Sequence, residues 1–239
     1  MTRYDAVFFD SGGTLFDAKC REPSIEEMSA GRMERLSRGL KEYGVEVNKG
    51  ELTQIHDELM GKLKKELGAG FSYYELIMEI IHRKSLPVLH EEAGVLTCLY
   101  TGTRYRHWLF PGVPEMFDAI KEAGVFIGLI ANTDWPCFAM QMAFKSAGIS
   151  GYFDTWTISC DEAVRKPEAA IFAAAQRKSG LNTPGRRILY VGDDVAADIE
   201  GAKRYGWDAA LRRSKTKTSG GLADFEFDES GELAGFVLG

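Results

Sequence analysis

Residues 4–15 read Tyr-Asp-Ala-Val-Phe-Phe-Asp-Ser-Gly-Gly-Thr-Leu, an apolar run that ends on Asp10 and then on two glycines. A buried strand that delivers a carboxylate to a tight turn has this form, because glycine lets the backbone turn sharply and come close to a ligand. Five further runs follow. "VFIGLI" (125–130) ends at "ANTD", and "TWTIS" (155–159) precedes a helical pattern from about Pro167 to Lys178. "RILYVG" (187–192) ends at "DDVAADIEGAKRYG", a helix stopped by Gly206, and "AALR" (209–212) and "FEF" (225–227) supply weaker late strands. Short strands alternating with helices predict βαβ units, hence an α/β fold with a Rossmann-like, doubly wound parallel sheet. In such sheets ligands sit beyond the carboxyl ends of the strands, where the acidic and amide residues of this chain fall.

Residues 18–107 follow another pattern. They hold no convincing strand and four helical stretches, 24–44, 49–68, 72–85 and 90–108, punctuated by glycines and Pro87. The reading is a helical insertion at 18–107 within a core made of 1–17 and 108–239. The chain returns at "LFPGVPEMFDAIKEAG" (109–124).

Bulk properties exclude several classes. The 239 residues, 45% hydrophobic, are enough for a sizeable core. A net charge of −6 argues against a nucleic-acid-binding surface, and the basic run "RRSKTK" (212–217) reads as solvated loop. No apolar stretch approaches a membrane span, and the N-terminus lacks signal-peptide features. The four scattered cysteines read as reduced thiols, which points to the cytoplasm. Residues 213–221 read as a flexible loop.

Four features fall at successive strand ends: Asp10; Asn132; Lys166, ahead of a helix in "RKPEAAIF"; and Asp193, Asp194 and Asp198 in "VGDDVAAD". Clustered carboxylates repel one another unless a lysine and a divalent cation compensate them, so Lys166 and Mg²⁺ are the economical pairing.

This order of motifs resembles the haloacid dehalogenase superfamily of aspartate-nucleophile hydrolases, over nearly the whole chain, and the insertion resembles that family's helical C1-type cap. The resemblance implies Asp10 as nucleophile and Lys166 as the cation that neutralises it and the transferring group. It implies Mg²⁺ held by Asp10, the backbone carbonyl of Gly12 and Asp193, with Asp194 acting through a water. Asp198 would orient Lys166 or a metal-bound water. Ser11, Gly12, Gly13 and Asn132 would present backbone N–H groups to phosphoryl oxygens, with Thr14 in support.

Two positions depart from the family pattern. Gly12 stands where phosphatases of the family carry the acid/base aspartate, and Ala131 stands at the usual Ser/Thr. Three readings follow. The first is a Mg²⁺-dependent phosphohydrolase of a small phosphorylated metabolite, weakened or specialised, monomeric or dimeric. The second is a non-catalytic module that binds a phosphorylated ligand or a protein, and the third is a C–halogen or C–P hydrolase. In the insertion, Arg32, Arg35 and Arg38 share a helix face that reads as solvated and paired with Glu26, Glu27 and Glu34. Trp135 is expected near the site entrance and Trp108 near the hinge.

Overall fold

A computed structural model describes residues 2–17, 23–182, 185–213 and 219–239. The expected strands form: β1 (Ala6–Phe9), β2 (Phe126–Ala131), β3 (Thr155–Ile158), β4 (Ile188–Gly192), β5 (Asp208–Arg212) and β6 (Phe225–Phe227). All pair in parallel in the order β3-β2-β1-β4-β5-β6. Strand β1 lies between β2 and β4, with Phe9 in register with both Leu129 and Val191. The winding reverses at β1 and β4, so Asp10 emerges at the crevice that such reversal opens.

The pleat sends successive side chains of β1 to opposite faces. Val7 and Phe9 join one core with Phe117, Phe144 and Val237, while Ala6 and Phe8 join another with Ile171, Phe172 and Ala202. Each fully buried phenylalanine contributes about 1.5–3 kcal/mol. Phe8 also explains Gly128 in β2: a Cβ there would lie 2.3 Å from the Phe8 ring.

Helices α1 (Ile25–Ala30), α2 (Arg32–Glu42), α3 (Lys49–Leu67), α4 (Tyr73–Arg83) and α5 (His90–Thr101) precede the return to the sheet. They enclose a hydrophobic cluster of their own around Leu36, Leu59, Ile77, Leu96 and Tyr100. Local chemistry starts three of them. Ser24 forms a reciprocal capping box with Glu27, Asn48 Oδ1 accepts from the Glu51 N–H, and Ser72 Oγ accepts from the Glu75 N–H. The pattern read through 90–108 stops early, because Gly102 turns the chain at φ +88°. Only a short 3₁₀ turn, Arg106–Trp108, follows.

The core adds α6 (Val113–Glu122), α7 (Cys137–Ser146), α8 (Ser159–Glu162), α9 (Ala169–Ser179), α10 (Glu200–Tyr205) and α11 (Ser230–Leu238). The helix read across 193–206 begins as a wide π-helical turn, Val195–Ile199, before α10. Asp134 joins the two parts of the chain. Its carboxylate accepts from Lys64 at 3.0 Å and Arg165 at 2.6 Å, and its carbonyl accepts from the Tyr73 N–H. No helix among the described residues is long and apolar enough to cross a membrane.

Two expectations about basic residues are corrected. Arg212 is buried rather than solvated: it donates to the Asp228 carbonyl and Ser230 Oγ and lies over the Phe110 and Phe227 rings. Residues 214–218 of the anticipated loop lie outside the described residues. Arg35 is drawn inward by the unsatisfied carbonyls of Met28, Leu99 and Tyr100, and Glu34 pairs with Lys49 instead of with the arginines. Cys98, Cys137 and Cys160 are free thiols, and Cys20 lies outside the described residues.

Candidate functional site

Lys166 is the hub of the site. Its side chain is 2% exposed, and Nζ donates to Asp10 Oδ1 at 2.7 Å, Asp198 Oδ1 at 2.8 Å and the Tyr190 hydroxyl at 2.7 Å. Three acceptors match the three protons of an ammonium group. Tyr190 in turn donates to the Ile130 carbonyl at 3.1 Å. The lysine reaches this point because Asn132 clasps its backbone from both sides: Oδ1 accepts from the Lys166 N–H, and Nδ2 donates to the Lys166 carbonyl, both at 2.9 Å.

Asp198 is equally committed. Its Oδ2 accepts from the N–H groups of Asp193 and Asp194 at 3.1 and 3.0 Å. This approach requires Gly192, where any Cβ would lie 2.3 Å from the Asp198 carboxylate. Asp193 is thereby turned toward Asp10, and one oxygen from each of Asp10, Asp193 and Asp198 falls within 4.8 Å of the others. Asp194 is outside that group. It is exposed, and its Oδ1 accepts from the Ala196 and Ala197 N–H groups as the cap of the following turn.

The loop after Asp10 is compact. Ser11 O accepts from the Leu15 N–H, and the Gly13 N–H donates to the Phe16 carbonyl, so that donor is used inside the loop. Among the described residues no backbone carbonyl takes the Ser11 or Gly12 N–H. Ser11 Oγ and Thr14 Oγ1 are buried without a hydrogen-bond partner. Gly13 has φ +83°, and a Cβ there would lie 2.4 Å from Asp193 Oδ2, so glycine is what lets Asp193 close over the loop. Gly12 differs: a Cβ there would meet nothing within 4 Å.

Burial pushes the Asp10 carboxyl up to about 6, with Lys166 opposing that rise and Asp198 adding to it. Burial alone would depress the Lys166 ammonium, but the Asp10 and Asp198 carboxylates outweigh it and raise the group. Burial, reinforced by Asp198 and Asp10, holds the Tyr190 phenol well above its ordinary range, so it stays protonated. Three carboxylates, Asp10, Asp193 and Asp198, thus gather beside the Lys166 ammonium.

The sequence profile of haloacid dehalogenase-like hydrolases matches residues 4–206. The chain belongs to this family. Glyceraldehyde 3-phosphate phosphatase of Methanopyrus kandleri is 28% identical to this hydrolase over 97% of its length and 96% of the relative's. Two solved structures share the fold. A HAD phosphatase from Thermococcus onnurineus has a TM-score of 0.57 at 24% identity, covering 96% of this chain and 95% of the other. A 2-haloacid dehalogenase from Pseudomonas syringae pv. Tomato has a TM-score of 0.62 at 20% identity, covering 98% and 97%.

The structure of this hydrolase brings together Asp10, Lys166, Asp193 and Asp198. It uses the Asn132 side chain to hold Lys166. Ala131 ends β2 in register with Ile158, and the Thr133 hydroxyl accepts from the Trp135 N–H within its own turn. Tyr190 escaped the sequence reading. Its only signal was a hydroxyl-bearing residue inside the otherwise apolar "ILYVG". The oxygen-only acidic cluster suits a hard divalent ion such as Mg²⁺. Lys166 holds only the Oδ1 of Asp10, whereas both Asp198 oxygens are already taken.

Proposed function

We propose that this protein is a Mg²⁺-dependent phosphohydrolase that attacks a small phosphorylated substrate with Asp10. The bond from Lys166 Nζ to both Asp10 and Asp198, beside Asp193, is the observation that carries the reading. The phosphatase names of relatives such as the Methanopyrus kandleri protein support it. The insertion read at 18–107 serves as the cap.

In this reading Asp10 Oδ2, the oxygen not held by Lys166, attacks phosphorus. The bond to the leaving oxygen breaks, and an aspartyl phosphate remains for water to hydrolyse. Lys166 holds the nucleophile in place and offsets charge on the transferring group, and the Ser11 and Gly12 N–H groups bind its oxygens. Asp10, Asp193 and the Gly12 carbonyl hold the ion, which when bound neutralises the carboxylates and polarises the phosphoryl oxygens. Gly12 offers no proton to the leaving alkoxide. Good leaving groups, which need none, are therefore the preferred substrates. The same gap favours the competing reading of a non-catalytic binding module. Phosphate release that depends on Mg²⁺ and disappears in Asp10→Asn separates the two, and activity retained in Asp10→Asn would end the aspartyl mechanism.

Metal binding has two further signatures. Mg²⁺ at about 100 times its dissociation constant stabilises the native state by about 2.7 kcal/mol, equivalent to a melting rise of about 5–10 °C. Asp193→Asn is expected to abolish most of that rise in a thermal melt, and an undiminished rise would remove Asp193 from the site.

The second signature is a proton. Because metal-free Asp10 titrates near 6, Mg²⁺ must displace its proton at and below that pH. Affinity is expected to weaken about tenfold per pH unit below 6 and to level off above it, with proton release measurable by calorimetry in two buffers. Without metal the sign follows from the raised carboxyl. The native state holds a proton that the unfolded chain has lost, so this group's contribution to stability declines as pH rises from about 4 to about 6.

A further inference from the structure

The helical insertion meets the sheet domain at the corner between α3 and α4, and Asp134 bonds to both sides of that corner. Its Oδ2 accepts from Lys64 Nζ, in the last turn of α3, at 3.0 Å. Its main-chain carbonyl accepts from the N–H of Tyr73, the first residue of α4, at 2.9 Å. On the core side, Oδ1 accepts from Arg165 at 2.6 Å. The two parts lie close here: a Cβ on Gly70 would sit 3.2 Å from the Ala163 Cβ. Trp135, next to Asp134, packs against the hydrophobic clusters of both parts.

Two of these bonds cross between the parts, and their chemistry suits a contact that forms and breaks. The Tyr73 N–H belongs to the first turn of α4, where helix geometry supplies no acceptor, so its protection comes from the Asp134 carbonyl. The Lys64 side chain is 49% exposed and that of Asp134 15%, so water and salt screen the pair in part. A pair of that kind is weaker than a buried one and releases readily. The core half of the contact also belongs to the active site. Asn132, two residues before Asp134, clasps the Lys166 backbone, while Asp134 holds the neighbouring Arg165. The turn at 132–135 therefore grips both the insertion and the loop that brings Lys166 to Asp10.

We propose that Asp134 is the latch of a lid. Its bonds to Lys64 and Tyr73 hold the insertion closed against the sheet domain, and their joint rupture lets the insertion swing away as a body, so that molecules enter and leave the site. The device goes beyond the phosphohydrolase reading, because it depends on the contact and not on which reaction Asp10 performs.

Hydrogen exchange of the Tyr73 amide in the full chain reads the latch directly, since that proton is freed when the Asp134 carbonyl withdraws. Lys64→Met is expected to speed its exchange by about two- to fivefold, the effect of losing a partly screened pair. Lys64→Arg, which keeps a cation, is expected to hold the rate near that of the native chain. Asp134→Asn keeps the carbonyl acceptor and loses the charge, and is expected to speed exchange at least as much as Lys64→Met. Raising salt from about 0.05 M to about 0.5 M is expected to speed Tyr73 exchange in the native chain and to act much less on Lys64→Met. Two other amides separate opening from unfolding: that of Ile77, inside α4, and that of Asp10, which donates to the Val191 carbonyl in the sheet. Both are expected to keep their native rates, because a lid that swings as a body leaves its own helices and the sheet intact. Unchanged Tyr73 exchange in Lys64→Met overturns the proposal. So does acceleration that Ile77 or Asp10 shares, which is the mark of a helix or a domain unfolding.

Discussion

Lys166→Met is expected to cost about 3–5 kcal/mol of stability at pH 7.5 and to lower phosphate release by about 10²–10³-fold. Both effects have one cause. The ammonium is 2% exposed and is the cation between two carboxylates, one of them, Asp198, itself 2% exposed. Methionine fills the volume but leaves the acids facing each other in a medium that solvates them poorly. Charge removal also predicts a pH signature. Without the lysine, which opposes the rise of the Asp10 carboxyl, the native affinity of Asp10 for protons increases, so the variant's native state binds more protons than its unfolded chain. Its stability deficit is therefore expected to shrink from pH 7.5 to pH 5, where protonation relieves the repulsion. Denaturant unfolding at the two values measures it. A variant within 1 kcal/mol of the native protein at pH 7.5, a threshold well below the usual cost of breaking a buried pair, would show that Lys166 does not compensate these charges.

Gly12→Asp is expected to raise kcat for alkyl phosphates by about 10²–10⁴-fold, the usual worth of general acid–base catalysis. The backbone admits the change. Gly12 lacks the left-handed conformation of Gly13, and a Cβ at residue 12 meets nothing within 4 Å. Little gain is expected for an aryl phosphate, whose leaving group needs no proton, and this contrast separates proton donation from a general repair of the site. Gly13→Ala provides the opposite case. Its Cβ would strike the Asp193 carboxylate at 2.4 Å and force the metal-facing acid aside. If Gly12→Asp leaves alkyl phosphate turnover unchanged while Mg²⁺ still binds, the missing hydroxyl at Ala131 is the limiting loss.

Much of the site was legible because strand-end chemistry is local. An apolar run that stops at Asp10, or at Gly192 followed by Asp193, announces both the strand and the carboxylate it presents. What escaped depended on partners far along the chain. Asn132 reads as a backbone contact to phosphate, and nothing local reveals that its side chain holds the Lys166 backbone 34 residues away. Asp194 reads as acting on the ion through a water; in the fold its carboxylate caps the following turn and stays exposed, outside the group formed by Asp10, Asp193 and Asp198. Arg35 and Arg212 read as solvated charges, and both are drawn inward by carbonyl oxygens that no local pattern reveals. Tyr190 was hidden for the same reason: inside a strand, a phenol looks like one more large apolar residue until its neighbours are known.

By itself the sequence determined the α/β architecture, the six strands, the helical insertion after the first of them, and the acids and lysine at the strand ends. Alternation, apolar run length and glycine placement are short-range properties that act on each segment before the segments meet. Only the tertiary structure decided which of those charges share a site. It brought Lys166 between Asp10 and Asp198, left Asp194 outside that group, and set Asp134 between Lys64 and Arg165. Those outcomes turn on a few ångströms between groups distant in sequence, at which separation burial and Coulomb energy far exceed any local preference.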